Sequence, residues 1–188
     1  MNLMKFFAKR LEQTTERRVY ELIVAQARQP WFYADLDVPD TVEGRYDMIM
    51  LHCFMVFERL SGAGSAADVF SQLVFDELFK DMDRSLRELG VGDLAVGKKI
   101  RKMAEMFYGR SEAYRAALAK HADDHGEELK TVLKRNMYDG DAPANGLDQL
   151  ARYVLQLKDD LAGQEIDPIL AGELKFPRPD SLGNAHAS

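Results

Sequence analysis

A run of apolar residues spaced three and four apart, closed by a glycine, is the feature that most constrains this fold. The run comprises Phe75, Leu78, Phe79, Met82, Leu86 and Leu89, and Gly90 follows it. Such spacing is typical of one apolar helix face, and a glycine behind the last turn supplies the left-handed backbone that ends many helices. A second apolar series follows: Val96, Ile100, Met103 and Phe107. With Asp93 as its candidate N-cap and Gly109 as its candidate end, the segment predicts two helices joined at a glycine stop.

A second block lies upstream, where a proline and an acidic residue precede another apolar stretch. Residues 38–47 read VPDTVEGRYD and lead on to Leu51, His52, Arg59 and Leu60. Proline disfavours helix at the residue before it, and Asp40 lies three residues before Glu43, which is the spacing of a capping box. From there to Leu60 apolar side chains surround the helix almost completely. This pattern predicts a helix at the centre of a bundle.

The two blocks together resemble the signature of the ubiquinol-cytochrome c chaperone family, the assembly factors of respiratory complex III. The second block continues through Gly92 and Asp93 to Phe107, Arg110 and Tyr114, so the similarity covers about residues 30–125. The resemblance implies a chaperone that binds newly synthesised cytochrome b and promotes assembly of ubiquinol-cytochrome c reductase. It implies no enzyme activity, no catalytic residue and no cofactor. In mitochondrial members of the family a small partner protein and the ribosome join the complex.

Length and patterning predict one all-α domain, a bundle of about seven to eight helices within residues 1–174. No strand-like alternation stands out in the 188 residues. From residue 175 to 188 the prolines, glycine and small polar residues predict a flexible tail. Gly109 and Ser111 predict a helix break followed by a new helix, and Asn145 and Gly163 are expected to bound the last long one. The one cysteine, Cys53, is expected to be a buried free thiol.

Charge and hydropathy limit the classes of partner and the cellular location that the sequence suits. The net charge is −6, which opposes binding to DNA, and no motif indicates a small-molecule substrate. No apolar run reaches the roughly 18 to 20 residues that span a bilayer. The first residues resemble neither a secretory signal nor a mitochondrial leader, since Glu12 and Glu16 come early. We therefore expect a bacterial-type protein of the cytoplasm, peripheral to the inner membrane.

Binding an apolar client requires exposed apolar surface, and two regions are candidates. The first is the aromatic triplet Trp31, Phe32 and Tyr33. The second is a stripe of the central helix that mixes cations with adaptable methionines: Arg45, Met48, His52, Met55 and Arg59. The alternative reading of this stripe is a face packed against neighbouring helices with its arginines reaching outward.

Two further segments are candidates for docking. Lys98, Lys99, Arg101 and Lys102 form the densest basic cluster, which would suit an anionic membrane or the ribosome if it is not simply a solvated face. In the first eleven residues Met4, Phe7 and Leu11 share one helical face, which suits either a bundle helix or a helix on a membrane surface.

Two alternatives to a chaperone remain at this level. His121, His125 and Glu128 have the spacing of metal ligands on a helix, which would suit a metal-dependent helical enzyme. Helix-end histidines are equally explained by the helix dipole and by solvent, and the pattern therefore predicts no metal site. The other alternative is a membrane-surface scaffold that has no client.

Overall fold

The computed structural model describes residues 14–178, which form eight α-helices and no β-strand. The predicted all-α, single-domain bundle is confirmed. The helices are α1 (Thr15–Ala27), α2 (Pro30–Ala34), α3 (Val42–Leu60), α4 (Ser65–Glu88), α5 (Asp93–Asp124), α6 (Glu127–Met137), α7 (Ala144–Ala162) and α8 (Ile166–Leu170). The last long helix ends at Gly163 as predicted, but it begins at Ala144 behind Pro143, one residue before Asn145.

Helix α3 is the centre of the bundle, as its nearly continuous apolar surface predicts. It packs against α1, α4, α5, α6 and α7. Every residue from Met48 to Val56 is buried, including Cys53, and burial raises the pKa of that thiol. This middle stretch of α3 has no polar face, because its side chains meet the rest of the bundle instead of water.

The predicted glycine stop between α4 and α5 is confirmed. Gly90 has a φ of +80°, its N–H donates to Arg87 O at 2.9 Å, and the N–H of Val91 donates to Leu86 O at 3.0 Å. These two bonds satisfy carbonyls that the helix end would leave without partners. Asp93 is not the N-cap, because Gly92 holds that position; its carboxylate pairs instead with Arg87 across the turn.

Replacing Gly90 by valine is expected to lower the free energy of unfolding by about 1 kcal/mol or more. A Cβ at this position meets no atom within 4 Å, so the loss comes from the left-handed backbone alone. Thermal unfolding measures the change, and Gly90→Asn is the matched control, since asparagine tolerates this conformation and should lose less. An unchanged melting temperature for Gly90→Val would contradict the role given to this turn.

The predicted break after Gly109 is wrong, because α5 continues through it to Asp124. Phe107, Tyr114 and Leu118 lie on one helical face on either side of the glycine and are all buried. A glycine inside a helix costs about 1 kcal/mol relative to alanine, less than burial of one large side chain contributes. Packing therefore outweighs the local preference for a break. Ser111 is a buried interior residue of α5 and not a cap.

The entry into α3 also differs from the capping box expected at Asp40. Thr41 is the N-cap, and its hydroxyl accepts the N–H of Gly44 at 3.0 Å. Asp40 lies one residue too early and pairs with Arg45, with 2.5 Å between Oδ1 and Nε. Gly44 itself lies so close to the carbonyl oxygen of Pro39 that a Cβ there would collide with it.

The first residues of the predicted tail pack on the domain. Backbone N–H and O of Lys175 bond to the side chain of Gln164 at 3.0 and 2.9 Å, and the ring of Phe176 lies 5.9 Å from that of His52. Gln26 Nε2 donates to Pro177 O at 3.0 Å. The ordered domain therefore extends past residue 174, and residues 179–188 lie outside the described part.

Candidate functional site

The stripe predicted on α3 is not an exposed surface. Met48, His52 and Met55 are buried in the core, so the expectation that they are exposed is wrong, and their part in client binding stays a prediction. Seven-residue spacing places them on one side of the helix, but the middle of α3, from Met48 to Val56, is covered on every side by the rest of the bundle. These three residues therefore fit the alternative prediction, a face of α3 packed against neighbouring helices.

The two arginines of the stripe reach the surface and bind local partners. Arg45 pairs with Asp40, whose pKa the hydrogen bond lowers, and its guanidinium lies 5.8 Å from the centre of the Tyr33 ring. Arg59 donates from Nε to Leu161 O at 2.8 Å and from Nη2 to Gln164 O at 2.5 Å. It thereby satisfies carbonyls at the end of α7.

The aromatic triplet holds α2 against the core. Phe32 is fully buried, with its ring centre 4.9 Å from Tyr153 and 5.6 Å from His52, so the expectation of an exposed client contact is wrong for this residue. Trp31 and Tyr33 are half-buried, and the Tyr33 hydroxyl donates to Ala27 O at 2.7 Å. Their part in client binding remains a prediction.

His52 lies at the centre of a buried hydrogen-bonded chain. Gln26 Nε2 donates to the Tyr153 hydroxyl at 3.0 Å, and that hydroxyl lies 2.7 Å from His52 Nε2. His52 Nδ1 lies 2.7 Å from Met48 O, which can only accept, so Nδ1 carries the proton and Nε2 accepts from Tyr153. Burial lowers the pKa of His52 from 6.5 to about 4, against the opposing effect of the Met48 carbonyl. The imidazole is neutral and structural.

An open groove of about 670 Å³ lies between the start of α3, the end of α4 and the first half of α5. Val42, Leu89 and Met106 form its exposed apolar walls, and Met50 and Met137 form a buried floor. Further apolar lining comes from Pro39, Tyr46, Leu86, Val91 and Met103. Four of these side chains are methionines, which adapt to varied apolar shapes. We call this surface the Met106 groove.

Charged residues of both signs line the Met106 groove. Asp47 pairs with Arg110, and both side chains are largely buried. Desolvation raises the pKa of the Asp47 carboxyl, although Arg110 acts in the opposite direction. Lys99 and Lys102 line the α5 side and are exposed. The groove thus combines an adaptable apolar lining with a rim that carries free cations.

The Met106 groove was not predicted from the sequence, although part of the pattern that forms it can be seen there. Lys99, Met103, Met106 and Arg110 recur at spacings of four, three and four, which marks one side of α5. This side adjoins the core face of the same helix, so the pattern resembles a wider apolar stripe. The other contributions, from α3, α4 and Met137, come from distant parts of the chain.

All four members of the predicted basic cluster are exposed near the start of α5. None of Lys98, Lys99, Arg101 and Lys102 forms an ion pair with another residue in the part of the chain from 14 to 178. Their charges therefore face solvent, and docking remains a prediction. Met4, Phe7 and Leu11, predicted for a membrane-surface helix, lie outside the described residues.

The histidines of the metal-dependent alternative do not meet as ligands. His121 Nδ1 lies 2.9 Å from Leu118 O, and His125 takes a left-handed conformation that ends α5. Asp124 accepts the N–H of Glu128, in the first turn of α6, at 3.0 Å. Within residues 14–178 no three His, Cys, Asp or Glu side chains lie together in a way that could hold a metal ion.

Membrane-spanning helices are likewise missing from residues 14–178, where none is both long and apolar enough to cross a bilayer.

Comparison with known proteins gives consistent matches. A family model described as ubiquinol-cytochrome C chaperone matches residues 34–176. Ubiquinol-cytochrome c reductase complex assembly factor 1 from Mus musculus is 24% identical over 179 residues, covering 90% of this chain and 59% of the relative. The factor of the same name from Xenopus laevis is 25% identical over 162 residues, covering 84% of this chain and 78% of the relative. This chain thus spans less than two thirds of the length of the mouse protein.

One solved structure is similar over nearly the whole chain. It is described as the crystal structure of the Cbp3 homolog from Brucella abortus, with 40% sequence identity and a TM-score of 0.80. The alignment covers 95% of this chain and 98% of the other.

Proposed function

Because this chain belongs to the ubiquinol-cytochrome c chaperone family, we propose that it binds newly synthesised cytochrome b and promotes assembly of ubiquinol-cytochrome c reductase. The named relatives are assembly factors of that complex. The proposed place of action is the cytoplasmic face of the inner membrane, where such a client emerges, and the ribosome is a second candidate partner. The proposed activity is binding and release, without catalysis.

The Met106 groove is the observation that carries this proposal. A membrane protein exposes segments of about 20 apolar residues until its helices have packed, and a chaperone has to cover such segments. Methionine side chains suit this task, because they are flexible and polarizable and fit irregular apolar shapes. The groove is open to solvent and has exposed apolar walls, whereas the stripe first predicted on α3 is buried.

The charged rim is consistent with transient binding. An apolar segment seated in the groove would lie beside Lys99 and Lys102, which remain solvated. Such rim charges influence the rate of association more than the final affinity. The client could therefore be captured and still be released to later assembly steps.

The proposal is tested by complementing a deletion of the gene with a variant whose groove carries a charge. Met106→Glu places a carboxylate in the apolar wall, and leaving it unpaired under a bound apolar segment is unfavourable. We expect the deletion to lower assembled complex III and cytochrome b while leaving the message intact. We expect Met106→Glu to restore about a tenth or less of the complex III that the unchanged chain restores.

Leu73→Glu is the matched control, because Leu73 is 41% exposed on α4 outside the groove and Met106 is 37% exposed. It should complement fully. A photo-cross-linking residue at Val42, in the opposite wall, should capture cytochrome b in the Leu73→Glu background and not in the Met106→Glu background. Normal complex III in the deletion strain would contradict the assembly function. Normal complex III without cross-linking to cytochrome b would favour the scaffold alternative.

A further inference from the structure

Two leucines at the tip of the α4–α5 hairpin point into solvent. Leu94, in the first turn of α5, is 99% exposed, and Leu89, at the end of α4, is 60% exposed. Gly90 lies between them, and its positive φ lets the chain turn sharply. Single exposed leucines are common on protein surfaces. Here two of them lie at one turn and together form a small exposed apolar patch.

The basic cluster lies beside this tip, within about the first ten residues of α5. Lys98 and Arg101 follow Leu94 by four and seven residues and therefore share its face of α5, opposite the buried face that holds Val96 and Phe107. Lys99 and Lys102 continue the cluster on the side of the Met106 groove.

The local charge is opposite to that of the whole chain. Residues 84–102 contain six lysines and arginines and two acidic residues, while the net charge of the protein is −6. Arg84 and Arg87 also pair with Asp81 and Asp83 just upstream, so the unpaired positive charge is that of the basic cluster. Of the two acidic residues, Asp93 is paired with Arg87, and Glu88 lies on the side of α4 that faces α1. The cations of the cluster are therefore available to an anionic surface.

We propose that the hairpin tip docks on an anionic phospholipid bilayer, with Leu94 inserted below the headgroups and the basic cluster against the phosphates. Each cation near an anionic bilayer strengthens binding about fivefold, and insertion of one leucine side chain strengthens it about tenfold. Ribosomal RNA would use the same cations through its phosphates. It would not explain a completely exposed leucine on the same helix face as Lys98 and Arg101, and this observation favours lipid.

Docking in this way orients the Met106 groove. Leu89, Val91, Lys99 and Lys102 belong to the groove and adjoin the tip, so a docked hairpin holds the groove opening beside the headgroups. A segment leaving the bilayer would then meet the groove without crossing open solvent. This step rests on the proposed function, whereas membrane binding of the tip does not.

The experiment uses the purified full chain and vesicles without any protein client. Cys53 is buried, so Leu94→Cys gives one accessible thiol for an environment-sensitive nitrobenzoxadiazole probe. On vesicles of phosphatidylcholine with phosphatidylglycerol the emission should shift to shorter wavelength, and on phosphatidylcholine alone it should not. The matched control is a probe at Val69→Cys, which is 61% exposed on α4 outside the hairpin tip and should not shift.

Charge variants complete the test by co-sedimentation with the same anionic vesicles. Changing Lys98, Lys99, Arg101 and Lys102 to glutamine should lower vesicle affinity about fivefold for each charge removed, and raising salt should mimic the change. The control replaces four exposed cations elsewhere, Lys120, Lys134, Arg152 and Lys175, and should have a much smaller effect. Leu94→Asp should lower the affinity about tenfold while leaving circular dichroism unchanged.

Several results would overturn membrane docking. One is binding to anionic vesicles without a spectral shift at residue 94, and another is an equal loss of affinity in both sets of charge variants. A probe that is already blue-shifted without vesicles would show that part of the chain or a second copy covers the tip. Binding of the protein to ribosomal RNA but not to vesicles would show that the basic cluster docks on the ribosome instead. None of these results bears on cytochrome b cross-linking at Val42, so the proposed function is tested separately.

Discussion

Replacing Gly44 by alanine is expected to lower the free energy of unfolding by about 3 kcal/mol. In the first turn of α3 the new Cβ would collide with the carbonyl oxygen of Pro39, a backbone atom that cannot rotate away. On helix propensity alone alanine would be favoured by about 1 kcal/mol, so the expected sign is set entirely by this close approach. Urea unfolding followed by circular dichroism measures the change.

Gly97→Ala is the control that isolates the close approach. Gly97 lies inside α5, and a Cβ added there would meet no atom within 4 Å. Alanine at this position should therefore stabilise the protein by about 0.5 to 1 kcal/mol. Opposite signs for the two substitutions are the expected result. Equal effects would show that the loop before α3 moves easily and makes room for the new Cβ.

Lowering the pH from 7.5 to 4.5 is expected to reduce the free energy of unfolding by about 2 to 3 kcal/mol through His52 alone. Burial lowers the pKa of His52 from 6.5 to about 4. Above pH 6.5 the imidazole is neutral in both states, and its contribution to stability is complete. Below that pH the unfolded chain binds a proton that the folded chain excludes, so stability is lost progressively until the pH falls to about 4.

His52→Gln separates this effect from the titration of carboxylates. A glutamine amide can donate to Met48 O and accept from Tyr153, but it does not bind a proton in this range. Urea unfolding at several pH values should give a shallower pH dependence for the variant, whatever its stability at pH 7.5. Parallel curves for the two proteins would contradict the buried, neutral histidine.

Local patterns predicted those parts of the fold that local chemistry determines. The apolar face of α4, the left-handed Gly90 and the start of a helix near Asp93 all follow from residues within a few positions of one another. The prediction failed at Gly109, where packing of Phe107 and Tyr114 against distant helices outweighs the cost of a glycine. A sequence pattern shows the preference of a segment but not the neighbours that override it.

The candidate site was less predictable for a related reason. His52 and Met48 look like parts of a mixed, functional stripe, yet the side of α3 that they occupy is covered by helices the pattern cannot place. The Met106 groove is lined by residues from four separate segments of the chain. Only the residues that α5 contributes recur at helical spacing in the sequence. By contrast, the basic cluster could be located from sequence, because adjacent cations on a helix are exposed in almost any packing.

The hydrogen bond between Gln26 and Pro177 joins residues 151 positions apart, and this separation has a consequence for synthesis. During synthesis Gln26 leaves the ribosome long before Pro177 does. Until Tyr153 and Pro177 have been added, the amide of Gln26 lacks both of its acceptors, and the polar chain to His52 is incomplete. The bonds of Gln26 therefore form late in folding, since contacts between residues far apart in the sequence are the slowest to form.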